Sequence, residues 1–265
     1  MAPAAGSGNV TELLYGLHAV REALRAGDRP LSRVLILNRE GRLGEIFRLA
    51  REAQVPVHVE PKPALDRLAP AGRHQGVVAL VAAKAYVDEE AILETARSAG
   101  EAPLLVVLDG VEDPQNLGAA LRVSEAAGAH GVFIPERRAV GLTAIVAKAS
   151  AGALEHLRVA RVANVSRLIE RLQEEGIWVY GVEPGADKPY TSLDLTGAVA
   201  LVFGAEGKGI RHGVLEHCDG RVRIPMRGQV ESLNVSTAVA VVLFEAVRQR
   251  LEKLRSEGSP PGSRT

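Results

Sequence analysis

The stretch "LVFGAEGKGI", Leu201 to Ile210, places one acid, Glu206, and one base, Lys208, among Gly204, Gly207 and Gly209. Glycines let backbone approach a ligand closely. A phosphate of the P-loop kind does not fit. That motif needs a glycine five residues before Gly207, where Val202 stands, and a hydroxyl after Lys208, where Gly209 stands. The dinucleotide fingerprint also fails, because Gly207-Lys208-Gly209 runs on to His212. A glutamate in such a turn repels phosphate and favours a ligand with a cationic or hydroxyl-bearing part. The alternative is a glycine turn that ends a strand and leaves Glu206 in water. Two further stretches are as unusual. "DGVEDPQNLGAALR" carries Asn116 and Arg122, and "IPMRGQVESLNVS" carries Ser232 and Asn234. His156, His212 and His217 with the lone Cys218 lack metal-ligand spacing, so no metal is expected.

Positioning such loops is the task of the elements before them. In open parallel sheets, ligands lie at the C-terminal ends of strands, and each of the three stretches follows an apolar run. From Pro103 onward, Val/Leu/Ile-rich strands alternate with helices, and a long helix from about Asn234 to Leu254 closes the series. That pattern predicts an α/β fold with a parallel sheet covered on both faces. Before it, "GLHAVREALRAG", "RVLILN", "LGEIFRLAREAQ", "VPVHVE", "PALDRLAPAG" and "GVVALVAAKAY" form a smaller α/β alternation. The expected organisation is a tail over 1–10, a small domain over 11–86 and an acidic linker helix over 87–102. The larger domain then spans 103–255, and a second Pro/Gly/Ser-rich tail spans 256–265.

Composition bounds the rest. The 265 residues carry 32 basic and 32 acidic side chains, a balance that argues weakly against a general nucleic-acid binder but leaves room for a local basic patch. Arg137-Arg138 and Arg221, Arg223 and Arg227 are the candidates for phosphate contact, with Arg73 and His74 in "RHQG" beside them. The single cysteine suits a reducing compartment. The N-terminus lacks the pattern of a signal peptide, and the apolar runs are too short to span a membrane. A cytoplasmic protein is expected.

Taken together and in order, "NLGAALR", "FGAEGKG" and "IPMRGQVESLNVSTAVAVVLFE" resemble the three motifs of the SpoU/TrmH branch of the SPOUT RNA ribose methyltransferases, over roughly Leu104 to Arg250. "LLYGLHAVREAL" and "RHQGVVALV" resemble the ribosomal-protein-like substrate domain that precedes the catalytic domain in its ribosomal RNA members. The resemblance implies a trefoil knot, S-adenosylmethionine as cofactor, a homodimer formed through the last helix, and methyl transfer to a ribose 2′-hydroxyl. The implied substrate is a guanosine of 23S ribosomal RNA. A tRNA or antibiotic-resistance methyltransferase, or a non-catalytic RNA-binding assembly factor, stands as the alternative. The resemblance also implies the site. Arg122 activates the attacking hydroxyl, with Asn116, Glu206, Ser232 and Asn234 around it, and Glu206 holds Arg122 or a loop amide. Gly204, Ile224 and Leu233, with Gly207 and Met226, hold the cofactor largely through backbone groups. Asn116 and Asn234 could equally cap helices.

Overall fold

The computed structural model describes residues 11–69 and 73–257. The expected tail over 1–10 lies outside them, as does all of the second tail except Ser256 and Glu257, which belong to the last helix. The chain packs as two units. One runs to Ala85 and includes Gly141–His156, and the other comprises Tyr86–Val140 and the chain from Leu157 onward.

The first unit begins with a strand that the sequence reading missed, β1 (Thr11–Tyr15). Helix α1 (Leu17–Ala26) follows, and it buries Ala19, Val20, Ala23 and Leu24 at helical spacing. It stops at Gly27, whose left-handed backbone returns its N–H to the Ala23 carbonyl. Then come β2 (Leu31–Ile36), α2 (Gly41–Glu52), β3 (Val57–Val59), α3 (Lys62–Leu68) and β4 (Val77–Ala82). The sheet order is β1-β4-β2-β3, with β4 antiparallel to both neighbours and β3 parallel to β2.

The second unit opens on α4 (Glu89–Ala99). The sequence reading treats this stretch as a linker, but Ile92, Leu93 and Ala96 are buried in the unit's core. Gly131 is a glycine because a Cβ there would lie 2.5 Å from Ile92 Cγ2. Next are β5 (Leu104–Asp109), α5 (Pro114–Ala126) and β6 (Gly131–Pro135). The chain then supplies α6 (Ala144–Ala149) and α7 (Ala153–His156) to the first unit. The reading of "TAIVAKASAGAL" as one helix gives way to this pair, broken at Ala151 and Gly152, both at positive φ. A Cβ at Gly152 would lie 2.4 Å from Glu22 Cγ of α1. Nearby, Arg29 Nη2 donates to buried Glu155 Oε1 at 2.8 Å and fastens α7 to the unit.

The second unit resumes with β7 (Val159–Val162), α8 (Val165–Glu174), β8 (Trp178–Val182), β9 (Lys188–Pro189) and β10 (Val199–Gly204). It ends with α9 (His212–Leu215), β11 (Gly220–Arg223) and α10 (Val235–Glu257). The strand order is β7-β6-β5-β10-β8-β11-β9, parallel throughout, as the continuous apolar runs predict. The late strands β10 and β11 are inserted between earlier ones. Insertion sets the end of β10 beside the end of β5, with Gly204 paired to Asp109. Loops far apart in sequence therefore leave the sheet side by side.

Candidate active site at the strand ends

Helix α5 starts on a local signal. Asp113 caps it by accepting the Gln115 N–H at 2.9 Å, and Pro114 takes the first helical position, where no N–H is needed. Asn116 is therefore not the cap. It lies within the first turn, and its side chain is free to reach across. Asn116 Nδ2 donates to Glu206 Oε2 at 3.0 Å, and Asn116 Oδ1 accepts from Asn234 Nδ2 at 2.8 Å. Asn234 Nδ2 also lies 3.5 Å from Glu206 Oε2. Asn234 does cap a helix as well. Its Oδ1 accepts the Ser236 N–H at 2.9 Å and the Ser236 hydroxyl at 2.6 Å at the start of α10. Three of the residues named from sequence thus form one junction, with an acid accepting from two amides.

Arg122 does not join it. The side chain projects from α5 into solvent, and among the described residues its guanidinium carries no hydrogen bond or ion pair. Glu206 therefore holds the two asparagines and not this arginine. Ser232 is exposed and its hydroxyl is likewise uncommitted among the described residues.

Glu206 belongs also to the wall of a cavity of about 430 Å³ at the ends of β8 and β10, a size typical of small-molecule sites. Gly204, Gly207, Ile224, Met226, Ser232 and Leu233, all singled out in the sequence, line it. Phe203, Val235 and Ala238 add apolar wall. The sequence reading missed Val182, Glu183 and Pro184, also in the wall. Val182 ends β8 and Glu183 and Pro184 follow it, and the strand-end rule applied to "GVEP" would have found them. Three lining acids, Glu183, Glu206 and Glu231, stand against one base, Lys208. Such a lining rejects phosphate and suits a ligand that carries positive charge on an otherwise apolar body.

The reason for Gly204 differs from the one expected. A Cβ there would lie 2.0 Å from the Gly209 carbonyl carbon and 2.1 Å from the Ile210 nitrogen. The space is taken by the protein's own loop, folded back so that Ala205 and Gly209 exchange N–H···O bonds of 3.2 and 2.8 Å. Gly207 and Gly209 have φ of +73 and +66, the left-handed region that this reversal requires.

Several basic candidates also need correction. His74 is buried at 2% exposure, with Nε2 2.9 Å from Asp66 Oδ1 and Nδ1 accepting the Gly76 N–H. It shapes its loop and offers nothing to RNA. Arg223 Nη1 donates to the Ala186 and Asp187 carbonyls, and Arg221 lies 3.7 Å from Glu183. Arg73, Arg137, Arg138 and Arg227 are exposed. Among the described residues no group of three or more His, Cys, Asp or Glu is placed to hold a metal ion, and no helix is long and apolar enough to cross a membrane.

Residues 103–244 match the SpoU rRNA Methylase family, and residues 13–87 match the family described as RNA 2′-O ribose methyltransferase substrate binding. The chain is 44% identical over 239 residues to the 23S rRNA (guanosine-2′-O-)-methyltransferase RlmB of Xylella fastidiosa, covering 89% of this chain and 96% of that one. It is 41% identical over 241 residues to the putative TrmH family tRNA/rRNA methyltransferase YacO of Bacillus subtilis, covering 90% and 96%. Among solved structures, the SpoU methyltransferase AviRb from Streptomyces viridochromogenes, in complex with the cofactor AdoMet, superposes with a TM-score of 0.78 at 26% identity, covering 93% of this chain and 94% of that one. With its three strand-end loops in the family's order and its matches running the length of both domains, the chain belongs to the SpoU rRNA methylase family.

Proposed function

We propose that the chain methylates the ribose 2′-hydroxyl of a guanosine in 23S ribosomal RNA. RNA 2′-O-methyl transfer with S-adenosylmethionine is the family's reaction and cofactor. The choice of 23S RNA and of guanosine rests on the Xylella relative. One observation carries the site assignment: Glu206 is at once the acceptor for Asn116 and Asn234 and part of the cavity wall. The residues fit the cofactor. Apolar walls from Ile224, Leu233 and Met226 suit an adenine, the folded glycine loop offers backbone groups, and the acidic lining suits a cation. When bound, the cofactor supplies an electrophilic methyl on a sulfonium, itself a good leaving group.

The protein's share is alignment and charge. A ribose hydroxyl is a very weak acid, so the oxygen needs support as its proton leaves to a phosphate oxygen or water. Arg122 suits that role because its guanidinium is uncommitted. Arginine stays protonated and is a poor base, so it acts by stabilising negative charge. Asn116 and Asn234, locked to Glu206 and to the start of α10, fix the surroundings at no cost in reorganisation during the reaction. Ser232 offers a hydroxyl to the cofactor or the ribose.

The reading extends to assembly. Residues 11–86 choose the RNA, with Arg73 as a contact, 87–102 joins them to the methyltransferase domain over 103–255, and Arg137 and Arg138 meet phosphate. The chain carries the family's trefoil knot, supported by the insertion of β10 and β11 between earlier strands. It is a homodimer through α10, supported by Phe244, Leu251 and Leu254, which that helix leaves 48, 49 and 64% exposed along one side. It works in the cytoplasm, where its RNA is. The test is a map of ribose methylation on ribosomal and transfer RNA from cells with and without the gene. The expected result is loss of one 23S guanosine mark, restored by the purified protein. An unchanged 23S map overturns the substrate assignment.

A further inference from the structure

The residue that ends β5 is a buried carboxylate that none of the roles above uses. Asp109 has a fully buried side chain, and a buried charge must be partnered. Among the described residues its side-chain partner is Arg211. The Arg211 backbone N–H donates to Oδ2 at 3.0 Å, Nε donates to Oδ1 at 2.9 Å and to Oδ2 at 3.1 Å, and Nη2 donates to Oδ1 at 2.5 Å. This is the bidentate fork that arginine makes with a carboxylate, with a main-chain bond added.

Its place in the chain gives the pair meaning. The loop Ala205–Ile210 carries Glu206 and forms cavity wall. The residue before the loop, Gly204, pairs with Asp109 in the β5–β10 ladder, and the residue after it, Arg211, is gripped by the Asp109 side chain. Both ends of the loop are thus referred to one residue. Asp109 also begins the connection from β5 to α5, the helix that presents Asn116. One carboxylate therefore sets the spacing between the loop that supplies the acid and the connection that leads to its amide. The middle of the loop, Glu206, Gly207, Lys208 and Gly209, is exposed, so its register depends on its two ends, on its own backbone bonds and on the amides that reach Glu206.

We infer that Asp109 and Arg211 are a positioning clamp for the reaction, which hold the Glu206 loop in register with Asn116 and so keep the cofactor cavity formed. The inference rests on the methyltransferase reading, and its test separates the two. In full-length protein, Arg211→Ala leaves Asp109 with one backbone donor, and Arg211→Lys keeps the charge without the fork. Hydrogen exchange of the ligand-free protein reads the loop directly. The Ala205 and Gly209 amides, both bonded within the loop, should exchange at least about tenfold faster in Arg211→Ala, while amides of α10 stay unchanged. The Kd and KM for S-adenosylmethionine should rise about tenfold, with kcat at saturating cofactor within about threefold of wild type, and Arg211→Lys should recover only part of this. In a Glu206→Gln background the same substitution should add little, because the two act on one arrangement. A merely structural pair would lower the Tm and leave the KM of the folded enzyme and the additivity untouched. That result, or unchanged loop exchange in a wild type that binds the cofactor, overturns the clamp. A wild type that binds no S-adenosylmethionine overturns the functional reading and the clamp with it.

Discussion

Gly204→Ala tests whether the Glu206 loop is held by shape. The added Cβ would lie 2.0 Å from the Gly209 carbonyl carbon, 2.1 Å from the Ile210 nitrogen and 2.2 Å from the Gly209 oxygen. All three are backbone atoms, so no side chain can swing aside. Restoring a contact of 3.4 Å from 2.0 Å moves the Gly209–Ile210 backbone by about 1.4 Å. The Asn116–Glu206 bond is 3.0 Å long, and that shift carries it out of hydrogen-bonding range. Binding must then drive the loop back against the overlap. Overpacking of this kind costs about 1–3 kcal/mol, and about 2 kcal/mol corresponds to roughly 30-fold in affinity. Calorimetry with S-adenosylmethionine should therefore show a Kd about 30-fold higher, in protein whose circular dichroism is unchanged. Gly207→Ala is the control. Its Cβ would meet nothing within 4 Å, and only the φ of +73 opposes it. Strain of about 1 kcal/mol limits its effect to roughly fivefold. Cofactor affinity of Gly204→Ala within twofold of wild type would refute the reasoning.

Arg122→Ala should cut the single-turnover methylation rate by at least about 100-fold and leave cofactor affinity nearly unchanged, since the group acts on charge that develops in the transition state. Rapid-quench kinetics with labelled cofactor and saturating RNA read both, and a full-rate variant removes Arg122 from catalysis. Burial pushes the Cys218 thiol up to about 12, helped by Asp219 beside it. The reactive thiolate is favoured only as pH rises toward that value, so at pH 8 on the order of one molecule in ten thousand is thiolate. A thiol reagent should leave the native protein untouched at that pH and titrate one thiol after denaturation. Phe244→Glu should yield a monomer by sedimentation at micromolar concentration, and wild type should sediment as a dimer.

Local chemistry carried much of this protein into view. The second unit's apolar runs read as a parallel sheet because such strands are buried on both faces. The glycines of "FGAEGKG" read as a turn at a strand end, and in the folded chain Gly207 and Gly209 take the left-handed φ that the turn needs. Asp113-Pro114 is as plain a helix start, and applying that rule would have freed Asn116 from a capping role. What periodicity and spacing could not supply is whatever depends on which strand lies beside which. Asn116 meets Glu206 across 90 residues and Asn234 across 118, because β10 inserts next to β5. Asp109 grips Arg211 for the same reason. The acidic α4 reads as a linker until its Ile92 is found packed against Gly131. His74 reads as a loop side chain until Asp66 and the Gly76 N–H are found to hold both its nitrogens. Residues 141–156 read as part of the larger alternation until α7 is found pinned through Glu155 to Arg29. Each of these is a contact between segments distant in the chain. A side chain's type and spacing fix what it can do, but its partner is chosen by strand order and burial, which only the folded chain defines.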